Sequence, residues 1–327
     1  MASALPGRRR AVGYSVPPMP RWGLTLPFAG VPLAATEPLV RRAEAAGWDD
    51  LWTGDTSGPD GFTPLALAAA WTERMRLGTG VVNAFTRGPA VLAQHAAALS
   101  DASGGRFVLG LGSSSDVIVE RWNGVPFERP LTKVRETVEA LRPVLAGDRG
   151  RGGFKLETAP AHPIPLYVAA LRDRMLALGG EIGDGTFVNF LPLSAVEHVV
   201  AQIDPPDGHD VVCRFFCIPA PPEAGLELAR FLFAGYATVP VYEAFFRSLG
   251  WGDALDPMVD AWRAGDRKLA VERAPDELLR EIFVFGRAPE MRERLEQFAA
   301  GGITTLCLMP LCGQEQLPGL IDELGRG

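Results

Sequence analysis

The chain has 327 residues, of which 47% are hydrophobic and 22% charged, and its formal net charge is −7. That length and balance fit one soluble α/β barrel whose core needs no disulfide or structural metal. The acidic charge, with no basic stripe, argues against nucleic acid as a partner, and no apolar run reaches the roughly 18 residues of a membrane helix.

The chain starts "MASALPGRRRAVGYSVPPMPR", with Arg8, Arg9 and Arg10 near the front. Prolines, not an apolar segment, follow these arginines, so an export signal is not expected. Residues 1–20 are read as a mobile tail, with a lid over the site as the alternative, and 21–327 as a single domain.

From Trp22 the hydrophobic period switches repeatedly between short apolar runs and helical spacing. "WGLTLPF" (Trp22–Phe28) reads as a strand. Thr36 is placed to cap a helix that has Pro38 in its first turn and stops at Gly47. "DLWTGD" (Asp50–Asp55) is a second strand, Thr63–Thr72 a helix, and "RLGTGVVN" (Arg76–Asn83) a third strand. Pro89 opens a helix with Leu92, Ala96 and Leu99 inward, and "RFVLGLG" (Arg106–Gly112) is a fourth strand. After a long loop come a helix over Thr132–Leu145 and a turn-rich excursion. Ile164–Ala170, Asp184–Phe190 and Asp210–Ile218 read as strands, with helices over Asp173–Ile182 and Ser194–Ile203 between them. A helical stretch of residues 222–282 precedes the last helix, opened by Pro289 and ended by Gly301 and Gly302. "TTLCLMP" (Thr304–Pro310) is the eighth strand.

Eight alternations of apolar strand and helix point to a closed parallel (β/α)8 barrel, with an open doubly wound sheet as the runner-up. "GLGSSS" (Gly110–Ser115) is an imperfect dinucleotide fingerprint, and no acidic residue ends a strand about 20 residues later. The cysteines fall as Cys213/Cys217 and Cys307/Cys312, without metal-ligand spacing or nearby histidine. They read as buried free thiols of a cytoplasmic protein.

In such a barrel the active site lies at the C-terminal ends of the strands. That rule selects Phe28, Asp55, Gly80–Asn83, Gly112–Asp116, Ala169–Arg172, Asn189, Cys217 and Met309. The set holds no histidine and no cluster of metal ligands, so metal chemistry is not expected. Its small residues instead suit a wide mouth for a large, flat ligand.

"LGTGVVNAFTRGPAVLAQHAAALSDASGGRFVLGLGSSS" (Leu77–Ser115) resembles the luciferase-like monooxygenase superfamily, and most of all its branch that uses the deazaflavin coenzyme F420. "PLYVAALRDRMLALGGEIGDGTFVN" (Pro165–Asn189), "ARFLFAGYATVPVYEAFFRSLGW" (Ala229–Trp251) and "VFGRAPEMRERLEQFAAGGITTLCLMP" (Val284–Pro310) extend the likeness, in order, over nearly everything from Trp22 onward. The resemblance implies a luciferase-like TIM barrel with a helical insertion before the last strand. It also implies F420, with FMN as the alternative cofactor, and hydride transfer to or from a small organic substrate. Reduction of a C=C or C=N bond is favoured over alcohol oxidation, because the histidine that often follows the acidic residue of the second strand is here Thr56. Other readings are an FMN-dependent monooxygenase and a non-catalytic flavin-binding barrel. A homodimer is the assembly that similar proteins imply.

Residue by residue, the resemblance puts a non-prolyl cis peptide at Gly80–Val81, in a bulge that backs the deazaflavin ring. Relief of crowding inside the barrel is the other explanation for Gly78 and Gly80. Asp55 is expected to contact the cofactor head or tune a proton donor, or else to cap the next segment. Asp55, Thr56 and Tyr236 are the catalytic candidates. Asp55, Gly80, Val81, Asn83, Gly112, Ser113, Ser114, Ala170, Leu171 and Arg172 are the cofactor-binding candidates, the last three through backbone N–H groups and charge near a phosphate. Arg87 occupies a position of undecided role.

Overall fold

The computed structural model describes residues 19–326. The tail and lid readings fall almost wholly on residues outside that range. Eight parallel strands form the barrel: β1 (Arg21–Thr25), β2 (Asp50–Thr53), β3 (Arg76–Thr79), β4 (Phe107–Gly112), β5 (Leu166–Ala169), β6 (Gly185–Asn189), β7 (Asp210–Ile218) and β8 (Thr305–Pro310). Each pairs with the next, and β8 pairs with both β7 and β1, which closes the ring. The helices α1 (Glu37–Ala45), α2 (Thr63–Trp71), α3 (Pro89–Ala102), α4 (Pro130–Leu145), α5 (Asp173–Ile182) and α6 (Val196–Ile203) follow the first six strands. The insertion resolves into α7 (Pro222–Ala237), α8 (Pro240–Ser248), α9 (Gly252–Arg263), α10 (Arg267–Glu272) and α11 (Asp276–Ile282). A two-residue strand, Val284–Phe285, pairs in parallel with the end of β7 before α12 (Ala288–Ala300).

Several boundaries differ from the sequence reading for local reasons. The first strand stops at Thr25, just before the cis Leu26–Pro27 peptide. The run Arg76–Asn83 is not continuous: it breaks at Gly80–Val81, also cis, and resumes as Val82–Asn83 beside β4. Thr36 precedes α1, but its hydroxyl donates back to the Pro32 carbonyl at 3.2 Å and does not cap the helix. The loop after β4 contains a π-helical turn, Val117–Trp122. The sequence reading also missed α13 (Leu317–Leu324), whose Leu317, Leu320, Ile321 and Leu324 are buried. Among the described residues no helix is long and apolar enough to cross a membrane. Cys213, Cys217 and Cys307 are buried free thiols, as expected, while Cys312 is only half-buried.

The barrel interior is layered. At its N-terminal end Arg76 bridges Asp50 (Nη2 to Oδ2, 2.6 Å) and Asp210 (Nη1 to Oδ2, 2.8 Å), and it donates to Tyr167 at 2.9 Å and Thr305 at 3.1 Å. Above this plug lies a cluster of Trp52, Val108, Tyr167, Phe187, Val212 and Cys307. Trp52 packs edge-on against Phe187 at 5.4 Å. The plug closes the end of a barrel that is usually structural and leaves the C-terminal end for the site.

Candidate active site

Above Phe187 the strands open into a cavity of about 1230 Å³. Drug-sized ligand pockets run to roughly 1,000 Å³, so two ligands have room side by side. Its floor is formed by Gly54, Gly80, Val81, Asn83, Phe187 and Arg214. One wall is Ser113–Ile118 from the loop after β4, and another is Ala169–Arg172 where β5 passes into α5. The outer rim is apolar and largely from the insertion, with Phe231, Tyr236, Tyr242 and Trp262 joined by Trp122.

Gly78 and Gly80 are required for different reasons. A Cβ on Gly78 would stand 2.3 Å from the Trp52 ring, so that glycine serves interior packing. A Cβ on Gly80 would stand 2.5 Å from Phe187, and Gly80 also carries the cis peptide. Crowding relief and the bulge therefore coexist at Gly80.

The bulge is tied down on both sides. The Gly80 N–H donates to the Thr53 carbonyl, and the Asp55 N–H donates to the Val81 carbonyl at 3.0 Å. Both Asp55 oxygens are engaged. Oδ1 accepts from the Gly61 N–H (3.0 Å) and Arg87 Nη2 (3.1 Å), while Oδ2 accepts from the Asn83 N–H (3.1 Å) and Arg87 Nη1. Arg87, whose role the sequence leaves undecided, forks onto Asp55, with its guanidinium 5.3 Å from the Phe62 ring centre. Thr56 is exposed, and its hydroxyl accepts only from the Gly58 N–H at 3.4 Å.

The remaining expected residues converge on the same cavity. Gly112 ends β4, although it does not line the cavity: its missing Cβ leaves 2.8 Å to the Ala169 Cβ. Ser113 and Ser114 follow in the wall, Ser114 with a left-handed φ of 60°. Ala170 is buried, Leu171 half-buried, and Arg172 exposed immediately before α5. Tyr236 is 36% exposed, with its ring 4.8 Å from Phe190.

Two side chains in the cavity had been left out of the sequence-derived set. Arg214 lies on β7, two residues beyond the interior Val212, so the strand period of two turns it into the barrel. It is the one charged residue in the run Val211–Ile218, which is the signal that marks it. Its Nη2 donates to the Gly80 carbonyl and its guanidinium lies 5.2 Å from the Phe187 ring centre. Tyr242, from α8, accepts from Asn189 Nδ2 at 3.0 Å. Burial, helped by the neighbouring Tyr236, outweighs the lowering effect of the Asn189 hydrogen bond and of Arg214 and leaves its phenol pushed up to about 12. Three buried polar atoms around the cavity have no partner among the described residues: Asn83 Nδ2, Asn189 Oδ1 and Arg214 Nε. No group of three or more His, Cys, Asp or Glu side chains among the described residues is arranged to hold a metal ion.

Comparison with known proteins places these features in context. Residues 16–305 match the family model of the luciferase-like monooxygenases. The chain is 29% identical over 306 residues to a Mycobacterium tuberculosis protein provisionally described as a coenzyme F420-dependent oxidoreductase, covering 82% of this chain and 88% of that one. It is 32% identical over 189 residues to the 5,10-methylenetetrahydromethanopterin reductase of Methanolobus tindarius, covering 53% of this chain and 57% of the relative. Among solved structures, the coenzyme F420-dependent tetrahydromethanopterin reductase of Methanopyrus kandleri superposes with a TM-score of 0.77 at 22% identity, over 94% of this chain and 98% of that one. An F420-dependent secondary alcohol dehydrogenase gives 0.75 at 16% identity, over the same shares. At those identities the two structures speak for a shared fold.

Proposed function

Since the chain belongs to the luciferase-like monooxygenase family, we propose that it is an oxidoreductase that binds coenzyme F420 and transfers a hydride between the deazaflavin and a small organic substrate. The observation that carries this reading is the open cavity of about 1230 Å³ whose floor Gly54 and Gly80 leave free of side chains. A non-catalytic barrel would be expected to fill that mouth with large side chains. The relatives described as F420-dependent support the choice of cofactor.

The residues present fit such a ligand. Gly54 and Gly80 leave the floor without side chains where a flat ring would lie. Asn83 Nδ2 is a buried donor with no partner among the described residues, which suits the acceptor-rich edge of a deazaflavin. Ser113, Ser114 and the backbone of Ala170, Leu171 and Arg172 line the wall next to the start of α5, which suits the anionic tail. Asp55 holds Asn83 and the bulge in register. The cofactor, when bound, supplies or accepts the hydride at its C5 position.

The chain's own part in the chemistry is to orient the ligands, exclude water and furnish a proton. The aromatic rim from the insertion lines the mouth of the cavity. Reduction of a C=C or C=N bond needs a proton alongside the hydride, and Tyr236 and Tyr242 both line the cavity. Tyr242 is the better placed of the two: Asn189 orients its oxygen, and its own proton is unspent. Tyr236 is the second candidate for that role; Asp55, with both oxygens taken, positions Asn83 and the bulge, and Thr56 lines the cavity beside it. The test is anaerobic oxidation of reduced F420 by a panel of cyclic enones and imines, followed spectroscopically. Turnover with these acceptors and none with secondary alcohols in the reverse direction supports the reading.

A further inference from the structure

The guanidinium of Arg214 has no carboxylate partner among the described residues, unlike Arg76 deeper in the same barrel, which has two. A cation enclosed without a counter-ion is costly, and such groups concentrate where a ligand completes the balance. Arg214 is half-buried, its guanidinium lies 5.2 Å from the Phe187 ring centre, and its Nε is sealed off with no partner among the described residues. Its Nη2 is fixed on the carbonyl of Gly80, the residue that forms the cis bulge. The charge is thus anchored at the floor of the cavity and not among the apolar side chains of the rim.

We propose that Arg214 is a charge-stabilising residue that makes this site hold the reduced cofactor more tightly than the oxidised one. The inference rests on the F420 reading above. Acceptance of a hydride at C5 brings two electrons and one proton into the ring, and with them one unit of negative charge. Arg214 supplies the opposing positive charge. An interaction between unit charges a few ångströms apart at an effective dielectric constant of about 20 is large enough for a preference of roughly 10- to 100-fold. A tenfold preference corresponds to about 30 mV in a two-electron potential.

The experiment is anaerobic titration of the wild-type protein, Arg214→Lys, Arg214→Gln and Arg214→Met with F420 and, separately, with chemically reduced F420. The expected result is tighter binding of the reduced form by the wild type. That preference is kept by Arg214→Lys and lost by Arg214→Gln, which retains a donor for Gly80 but not the charge. Equal weakening of both forms in Gln and Met variants would overturn the proposal and leave Arg214 as a support for the bulge. Wild-type protein that binds the two forms equally overturns it without recourse to any variant. Wild-type protein that binds neither form removes the F420 reading itself, a failure distinguishable from the other two.

Discussion

Arg87 meets Asp55 in a two-pronged pair, with Nη1 on Oδ2 and Nη2 on Oδ1. Together with the N–H groups of Gly61 and Asn83, that pair uses both carboxylate oxygens. Such an arrangement suits a residue that positions its neighbours. Asp55→Ala is therefore predicted to destabilise the fold by about 3 kcal/mol, since it strands a largely buried guanidinium. Asp55→Asn is predicted to weaken F420 binding, since an amide keeps only one acceptor oxygen for Arg87 and the Gly61 and Asn83 N–H groups. Denaturant unfolding and cofactor titration check the two outcomes.

Tyr242→Phe removes a hydroxyl and little else. As the proton source for the reduced bond, its loss is predicted to slow turnover by roughly 10²–10⁴-fold, the usual range for general acid catalysis. Cofactor affinity should not move. Because the Tyr242 phenol is pushed up to about 12, it stays protonated through neutral pH and adds no basic limb to the profile there. Tyr236→Phe is predicted to have the smaller effect, and rates of the two variants with one accepted substrate decide between them.

Glycine at positions 78 and 80 is fixed by different neighbours. Gly78→Ala drives a methyl into the Trp52 ring, and overpacking of this kind costs about 1–3 kcal/mol. Gly80→Ala meets Phe187 and disturbs the bulge as well. The prediction is that Gly78→Ala lowers stability with cofactor affinity largely kept, whereas Gly80→Ala lowers both. Thermal unfolding beside fluorescence titration separates them.

The plug at the far end of the barrel governs acid stability. Burial alone would raise the Asp210 carboxyl, but Arg76 and the hydroxyls of Thr304, Thr305 and Tyr167 outweigh it and hold the group below its ordinary value. A depressed carboxyl contributes stability above the unfolded-state value of about 3.9, and loses it as pH falls through the folded-state value. Asp210→Asn is thus predicted to flatten the loss of stability below about pH 4. Arg76→Met should cost about 3–5 kcal/mol at neutral pH by leaving the buried Asp210 without a cation and Asp50 with Arg21 alone. Denaturant melts between acid and neutral pH check both.

The barrel was legible because buried parallel strands are apolar on both faces, so Arg76–Thr79, Phe107–Gly112 and Asp210–Ile218 stand out from helical spacing. The cis bulge was legible only through resemblance: two glycines in a strand admit several explanations, and here packing against Trp52 and Phe187 is one of them. The Arg87–Asp55 pair was not legible, since 32 residues separate the partners and no local rule links a strand end to the start of α3. Arg214 carried a readable signal, a lone charge in an apolar strand at an inward position. Tyr242 did not, because its meeting with Asn189 depends on how α8 folds over the barrel mouth.

The most direct measurement is anaerobic titration of the purified protein with F420 and with FMN, each followed by fluorescence quenching. Micromolar binding of F420, with FMN bound at least about tenfold more weakly (a difference of about 1.4 kcal/mol), is the predicted result. Preference for FMN would move the protein to oxygen-using chemistry, and binding of neither would contradict the proposed function while leaving the barrel intact.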